Sequence, residues 1–121
     1  MKRVILCPNP GRDRELTATR RAEGILRELG FETVICSPFR SQKEEDFPGA
    51  KLRPLLPEMQ RADLLITFGG DGTILHLAKL TALNQVPVLG INMGHVGFLT
   101  ELEPDDMEKC VDRLISGQYT L

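Results

Sequence analysis

Hydrophobic and polar positions follow two periods along this chain. Short apolar runs stand at residues 3–7, 31–36, 64–68 and 88–91, and each is followed by glycine, proline or polar residues. Apolar runs of this length, bounded by turn residues, are typical of buried strands. The pattern therefore predicts a set of short strands separated by other elements.

Helical periodicity occupies most of the space between these runs. Asp13 can cap a helix that continues to about Leu29, with Gly30 as its stop. One or two helical turns are expected over residues 55–62, and a mostly apolar helix over residues 74–83. Because strand–helix–strand units favour parallel pairing, we expect a three-layer, Rossmann-like α/β domain with a mostly parallel sheet of about four to five strands.

Two further segments are less regular or stand apart. Residues 37–56 carry three prolines and an acidic cluster, which indicates a surface loop, with a lid as the less favoured alternative. After the last strand, Pro104 can begin a helix that ends before Gly117. Residues 118–121 resemble the start of another strand.

Composition narrows the class of protein. The chain has 121 residues, of which 41% are hydrophobic and 26% charged, as expected for one soluble globular domain over residues 1–121. A net charge of −2 with scattered cations gives no footprint for nucleic acid or an anionic membrane. The first apolar run is too short for a signal peptide or a membrane span, so we expect a cytoplasmic protein without membrane or nucleic-acid partners.

The three cysteines give no framework for a disulfide or a metal. Cys7, Cys36 and Cys110 are widely separated and lack a neighbouring cysteine or histidine cluster. We expect inert, mostly buried thiols and no metal site built by the protein.

Candidate chemistry concentrates after the strand at residues 64–68. The sequence Gly-Gly-Asp-Gly-Thr follows at residues 69–73, and a helical pattern begins at once. A strand, a glycine-rich turn and a helix can bind phosphate through backbone N–H groups. Asp71 is unusual there because a carboxylate repels phosphate, so it should accept a proton, hold a metal ion or bind a ribose hydroxyl. On spacing alone, a tight turn in which Asp71 only caps the helix is equally compatible.

Two other loops follow predicted strands. Residues 8–11, Pro-Asn-Pro-Gly, either face a ligand or form a plain connector, which we favour. Residues 92–101 form a second glycine-containing loop. Since ligands of open α/β sheets bind outside the carboxyl ends of strands, this loop and the Gly-Gly-Asp-Gly-Thr turn predict one shared site.

These two segments carry a family resemblance. Residues 69–73 resemble the signature shared by NAD kinases, diacylglycerol and sphingosine kinases and 6-phosphofructokinases, and they match neither a Walker loop nor a dinucleotide fingerprint. Residues 90–100, Gly-Ile-Asn-Met-Gly-His-Val-Gly-Phe-Leu-Thr, closely resemble the Asn-x-Gly-x-Leu-Gly-Phe-Leu segment of NAD kinases. With both motifs, the chain is identified as similar to the N-terminal domain of that family.

The resemblance implies an activity and a set of site residues. ATP, or in some members polyphosphate, phosphorylates the 2′-hydroxyl of the adenosine ribose of NAD to give NADP, and Mg²⁺ arrives with ATP. Asp71 matches the presumed general base. Nucleotide-binding roles are implied for Gly70, Asp71, Gly72, Thr73, His76, Asn92 and Phe98.

Some of these roles have structural alternatives. Thr73 is also a candidate helix cap. His76 could be a structural residue on an apolar helix, although we favour a contact with the dinucleotide. Phe98 matches a position near the adenine of NAD, and core packing would suit it nearly as well.

One departure from the family pattern bears on activity. NAD kinases carry a second, β-rich domain with an Asn-Glu or Asn-Asp pair, and no such pair follows the central motif here. We therefore expect residues 1–121 alone to bind nucleotide weakly and to be inactive, and the full-length enzyme to be a homo-oligomer. A non-catalytic nucleotide-binding module, which would tolerate Asp71→Asn, and a fragment of a lipid kinase remain alternatives.

Overall fold

The computed structural model describes residues 3–39 and 41–92 of the chain, and all structural statements below concern these residues. They form five strands, three α-helices and two single-turn 3₁₀ helices at Arg14–Leu16 and Glu44–Asp46. In chain order the main elements are β1 Arg3–Pro8, α1 Thr17–Glu28, β2 Glu32–Cys36, β3 Leu52–Arg53, α2 Leu55–Met59, β4 Leu64–Gly69, α3 Asp71–Leu83 and β5 Val88–Asn92.

The strands pair into one parallel sheet in the order β3-β2-β1-β4-β5. This confirms the predicted mostly parallel sheet of four to five strands. β1 and β4 lie at its centre and are buried along their whole length, as expected for strands covered on both faces. Because all strands run the same way, their carboxyl ends meet at one edge.

Helices cover both faces of the sheet, which confirms the three-layer architecture. On one face, α1 packs on a cluster that includes Val4, Ile66 and Ile91. On the other face, Met59 of α2 and Leu77 of α3 pack on Ile5, Cys7, Cys36 and Leu65. The chain leaves β1 towards one side of the sheet and β4 towards the other. A topological switch point, where ligands of such folds bind, therefore lies between these two strands.

The opposite, amino end of the sheet is fastened by one buried arginine. Arg3 donates hydrogen bonds from Nε and Nη2 to Glu58 at 3.0 and 2.8 Å and also pairs with Glu32. Its backbone N–H donates to Asp63 at 2.8 Å. These contacts join β1 to β2, α2 and the start of β4, far from the carboxyl edge.

The end of α1 confirms the predicted glycine stop. Gly30 has a φ of 91° and its N–H donates to the Arg27 carbonyl at 3.0 Å. The Phe31 N–H donates to the Leu26 carbonyl at 3.0 Å, which completes a Schellman motif.

Two predicted helix starts were wrong. α1 begins at Thr17, because a 3₁₀ turn with Glu15 and Leu16 at positive φ separates it from Asp13. α3 begins at Asp71, three residues before the predicted start at residue 74.

The predicted loop at residues 37–56 contains the edge strand β3 and a buried Phe47. The helix predicted from Pro104 and the strand at residues 118–121 lie outside the described residues. In the described part, no helix is long and apolar enough to cross a membrane.

Candidate functional site

Three loops start side by side at the carboxyl edge of the sheet. In the register of the strands, Pro8 of β1 pairs with Phe68 of β4, and Gly69 pairs with Asn92 of β5. The Gly-Gly-Asp-Gly-Thr turn therefore begins between the other two chain segments. The start of the second glycine-containing loop is beside it as predicted, while residues 93–101 of that loop lie outside the described residues.

The turn brings the first residues of α3 down onto the end of β4. Gly70 occupies the N-cap position with extended φ and ψ, and no side chain caps the helix. A Cβ atom on Gly69 would lie 3.0 Å from Cβ of Thr73, so a larger residue would push the helix away. The Ile74 N–H donates to the Gly70 carbonyl at 3.0 Å, which closes the first helical turn.

Glycine also permits close packing of α3 on β5. A Cβ atom on Gly90 would lie 2.9 Å from Cγ2 of Ile74. Gly72, in contrast, faces open space, since a Cβ atom there would meet nothing within 4 Å. Packing within the described residues therefore explains the glycines at 69 and 90 and leaves that at 72 unexplained.

Asp71 is the first residue of α3 and is exposed. The cap role proposed for it as the simpler alternative was wrong, because the N-cap residue is Gly70. The carboxylate stands at the positive end of the helix dipole, where a negative charge is favourable. An acid in this position is accessible to a ligand and is held by a rigid element.

Asn9 ties the loop after β1 to this turn. Its backbone N–H donates to the Phe68 carbonyl at 2.8 Å, and its Nδ2 donates to Oγ1 of Thr73 at 3.0 Å. The loop at residues 8–11 thus contacts the turn, while its interpretation as a plain connector rather than a ligand-facing loop stays a prediction. The interpretation of Thr73 as a helix cap was wrong, since its buried hydroxyl accepts from Asn9 and the N-cap position belongs to Gly70.

The same loop places a cation that sequence reasoning did not select. Nε, Cζ and Nη2 of Arg12 lie 3.4, 3.6 and 3.6 Å from where a Cβ atom of Gly70 would be. The guanidinium thus packs across Gly70, one residue from Asp71. The sequence signal for this role was an arginine directly after the Pro- and Gly-containing turn that ends β1. Pattern alone could not connect it to Gly70, which is 58 residues away in sequence (70 − 12).

His76 makes structural contacts one turn further along α3. Its Nε2 lies 3.0 Å from the Pro38 carbonyl and must donate, because a carbonyl only accepts. Its ring stacks on Phe39, with centroids 4.7 Å apart and planes inclined by 22°. Both contacts fasten the segment after β2 to α3, and His76 also lines a cavity of about 440 Å³ between α2 and α3. Its role as a nucleotide ligand stays a prediction.

The two described cysteines are buried under α3, as expected. Burial raises the pKa of the Cys7 thiol well above its usual range, and the neighbouring Cys36 adds to this. The pKa of Cys36 is raised to about 12, chiefly by burial and also by the charge of Glu58, while the charge of Arg3 opposes the rise. Both thiols are protonated and unreactive at neutral pH. Cys110 lies outside the described residues.

The structure thus assembles part of the predicted set. Gly70, Asp71, Gly72 and Thr73 form one turn, and the backbone of Asn92 ends the adjacent strand. Phe98 lies outside the described residues. Among the residues that the structure describes, no group of three or more His, Cys, Asp or Glu side chains could hold a metal ion.

Comparison with known proteins gives matches over nearly the whole chain. The family model described as the ATP-NAD kinase N-terminal domain matches residues 4–119. An NAD kinase of Cutibacterium acnes is 45% identical over 121 residues, which cover 98% of the chain and 37% of the relative. An NAD kinase of Caldanaerobacter subterraneus subsp. tengcongensis is 31% identical over 121 residues, covering 100% of the chain and 42% of the relative.

A solved structure agrees with these matches. The crystal structure of yeast NADH kinase complexed with NADH superimposes with a TM-score of 0.68 at 27% sequence identity. The match covers 98% of this chain and 37% of the yeast chain. The chain thus spans about two fifths of the length of the proteins that it resembles.

Proposed function

Because the chain belongs to the NAD kinase family, we propose that its Gly-Gly-Asp-Gly-Thr turn forms half of an active site that converts NAD to NADP. The phosphoryl donor is ATP, with polyphosphate as the other donor that the family resemblance implies. The acceptor is the 2′-hydroxyl of the adenosine ribose of NAD. The family assignment leaves the lipid kinase alternative without support.

The observation that carries this proposal is the position of Asp71. Its exposed carboxylate begins α3 at the switch point between β1 and β4. In the proposed step, the 2′-oxygen attacks the terminal phosphorus of ATP, the bond from that phosphorus to the bridging oxygen breaks, and ADP leaves. Asp71 accepts the proton of the hydroxyl, a role worth about 10² to 10⁴ in rate for a positioned carboxylate.

The rest of the turn can bind the nucleotide through backbone groups rather than side chains. No side chain caps the start of α3, and the N–H groups of a first helical turn can donate to a phosphate or ribose oxygen. Open space at Gly72 lets a ligand approach the backbone closely. Thr73 fixes the turn through Asn9, and Asn92 and Phe98 are assigned to the nucleotide by the family resemblance.

Magnesium fits this proposal as a companion of the donor. The described residues offer no metal cluster, and Mg²⁺ commonly binds through substrate phosphates and one or two carboxylates. When bound, it would neutralise charge on the phosphates of ATP. The steps assigned above to Asp71 and to the glycine turn do not depend on where it binds.

The complete site needs more than these residues. The chain spans 42% of the Caldanaerobacter relative and 37% of the Cutibacterium relative. We assign the ribose and nicotinamide contacts to a β-rich domain outside residues 1–121, so this segment alone should bind nucleotide weakly. A cytoplasmic location and a homo-oligomeric enzyme remain predictions of the sequence.

The test is NADP formation from NAD, ATP and Mg²⁺. Residues 1–121 should be inactive, and the same chain extended through any coding sequence that follows should be active. Comparable activity of the short form would contradict the divided site. Inactivity of the extended form, with nucleotide binding retained, would instead support the non-catalytic binding module.

A further inference from the structure

A cation without a partner stands over the glycine turn. The guanidinium of Arg12 packs across Gly70, yet within the described part of the chain its side chain makes no hydrogen bond or ion pair. Arg12 is also exposed, so its guanidinium can be reached from solvent. A guanidinium that lies over the turn without an anionic partner among the described residues is available to bind an anion.

The fold holds Arg12 there through Asn9. The Asn9 carbonyl accepts from the N–H groups of Arg12 and Asp13, both at 2.9 Å, and its Oδ1 accepts from the Gly11 N–H at 3.0 Å. The same residue donates to Thr73 of α3. One asparagine therefore fixes the backbone of Arg12 relative to the turn that carries Asp71.

The nearest acid in sequence cannot neutralise Arg12. Asp13 is buried, and its carboxylate accepts from the N–H groups of Ala18 and Thr19 at 3.0 Å and from Oγ1 of Thr19 at 2.6 Å. All of these donors belong to the start of α1. The fold thus uses the charge of Asp13 internally and leaves that of Arg12 at the surface.

Charge balance in the proposed reaction identifies what Arg12 binds. A carboxylate next to the transferred phosphoryl group repels it, and phosphoryl transfer depends on cations that offset the charge on the phosphate oxygens. From these contacts we infer that Arg12 binds the terminal phosphates of the phosphoryl donor. This inference rests on the proposed function.

The donor suits this position better than NAD does. The attacked phosphorus must approach the hydroxyl whose proton Asp71 accepts, and Arg12 lies over Gly70, the residue before Asp71. The pyrophosphate of NAD, in contrast, is attached to the 5′ carbon of the ribose, several bonds from the reacting 2′-hydroxyl. Arg12 therefore acts on the donor side of the reaction.

The test compares Arg12→Gln, which removes the charge, with Arg12→Lys, which keeps it without the planar fork. In the extended protein, Arg12→Gln should lower kcat/KM for ATP by about 10- to 100-fold, as for loss of a hydrogen bond between charged groups. Arg12→Lys should restore part of this loss. The KM for NAD should change less than about twofold, within ordinary variant scatter.

Arg61→Gln is a matched control. Arg61 is exposed and lies between α2 and β4, at the amino end of the sheet, so this variant makes the same charge change away from the site. It should leave kcat/KM for ATP unchanged. An equal loss in both variants would mean that net charge, rather than position, controls ATP binding, and would overturn the inference.

A binding measurement separates this inference from the proposed function. Inorganic tripolyphosphate is titrated by calorimetry into wild type, Arg12→Gln and Arg12→Lys, with circular dichroism as the check of folding. The inference predicts an affinity at least about tenfold lower for Arg12→Gln, with partial recovery in Arg12→Lys. Unchanged affinity, no binding by wild type, or a rise in the KM for NAD alone would overturn it.

If the wild-type protein makes no NADP but Arg12→Gln still binds tripolyphosphate more weakly than wild type, the proposed reaction fails and the anion site stands. If NADP forms normally in Arg12→Gln with an unchanged KM for ATP, the reaction stands and the role of Arg12 fails.

Discussion

The two longest helices among the described residues begin in contrasting ways, although each follows a central strand and has an aspartate near its start. At the start of α1, Asp13 is 1% exposed and its carboxylate accepts three hydrogen bonds from Ala18 and Thr19. At the start of α3, Asp71 is exposed and the N-cap residue is a glycine. The first helix start is capped by its own fold, and the second is left open.

This difference shows how one residue type serves two purposes at one edge of a sheet. The buried donors around Asp13 need an acceptor, and the Asp13 carboxylate therefore serves to stabilise the fold. At the start of α3 no side chain caps the helix, which is the arrangement that a phosphate-binding turn requires. The open start is where we place the chemistry.

The largest expected effect comes from Asp71→Asn in the extended protein. The amide cannot accept the hydroxyl proton, so NADP formation should fall by about 10² to 10⁴. Loss of a favourable charge at an exposed helix start should change the free energy of unfolding by about 1 kcal/mol at most. Activity within tenfold of wild type would remove Asp71 from the reaction.

Asp13→Ala should give the opposite pattern. The substitution leaves buried donors at the start of α1 without an acceptor. It should lower the free energy of unfolding by about 2 to 3 kcal/mol in urea titrations. Asp13→Asn keeps one acceptor oxygen and should lose less. A change below about 0.5 kcal/mol in Asp13→Ala would show that the capped start is not important for stability.

High pH should weaken the packing beneath the open helix start. Burial raises the pKa of Cys36 to about 12 in the folded chain and holds the pKa of Cys7 well above its usual range, whereas an unfolded thiol ionises near about 8.5. The stabilising contribution is therefore nearly complete below about pH 8 and is lost as the pH rises above about 8.5, by about 1.4 kcal/mol for each thiol at pH 9.5. Urea unfolding of wild type and Cys36→Ala between pH 7.5 and 9.5 measures this. Identical pH slopes would contradict it.

The smallest effect concerns the hydrogen bond that joins the loop after β1 to the start of α3. Asn9→Ala and Thr73→Val each remove one partner, and each should cost about 1 kcal/mol of unfolding free energy. The double variant should cost less than the sum, with a coupling of about 0.5 to 1.5 kcal/mol. Strict additivity would mean that Asn9 and Thr73 do not stabilise one another.

Much of the fold could be predicted from the sequence, because the apolar runs in the sequence coincide with the buried central strands of the structure. β4 and its glycine turn could be predicted from a short apolar run that ends in glycines, and α1 could be predicted from its apolar face and Gly30. β3 was missed because a two-residue edge strand has no measurable period. The turn before α1 was missed because Glu15 and Leu16 adopt a positive φ that their residue types do not favour.

The site was predicted only where its residues are local in sequence. Residues 70–73 form one motif, and their positions in the turn follow from it. The contacts of Asn9 and Arg12 with that turn join residues about 60 positions apart. The contact of His76 with Pro38 is similarly distant, and pattern alone favoured a ligand role for it.

The most direct measurement of the difference between the two helix starts is an amide NMR titration of the protein with ATP and, separately, with NAD. We expect the signals of Gly70, Asp71 and Gly72 to shift on addition of nucleotide, with Arg12 responding to ATP more than to NAD. The amides of Ala18 and Thr19, which remain bonded to Asp13, should stay in place. Shifts confined to the start of α1, or no shifts at residues 70–72, would contradict the assignment of the open helix start as the nucleotide site.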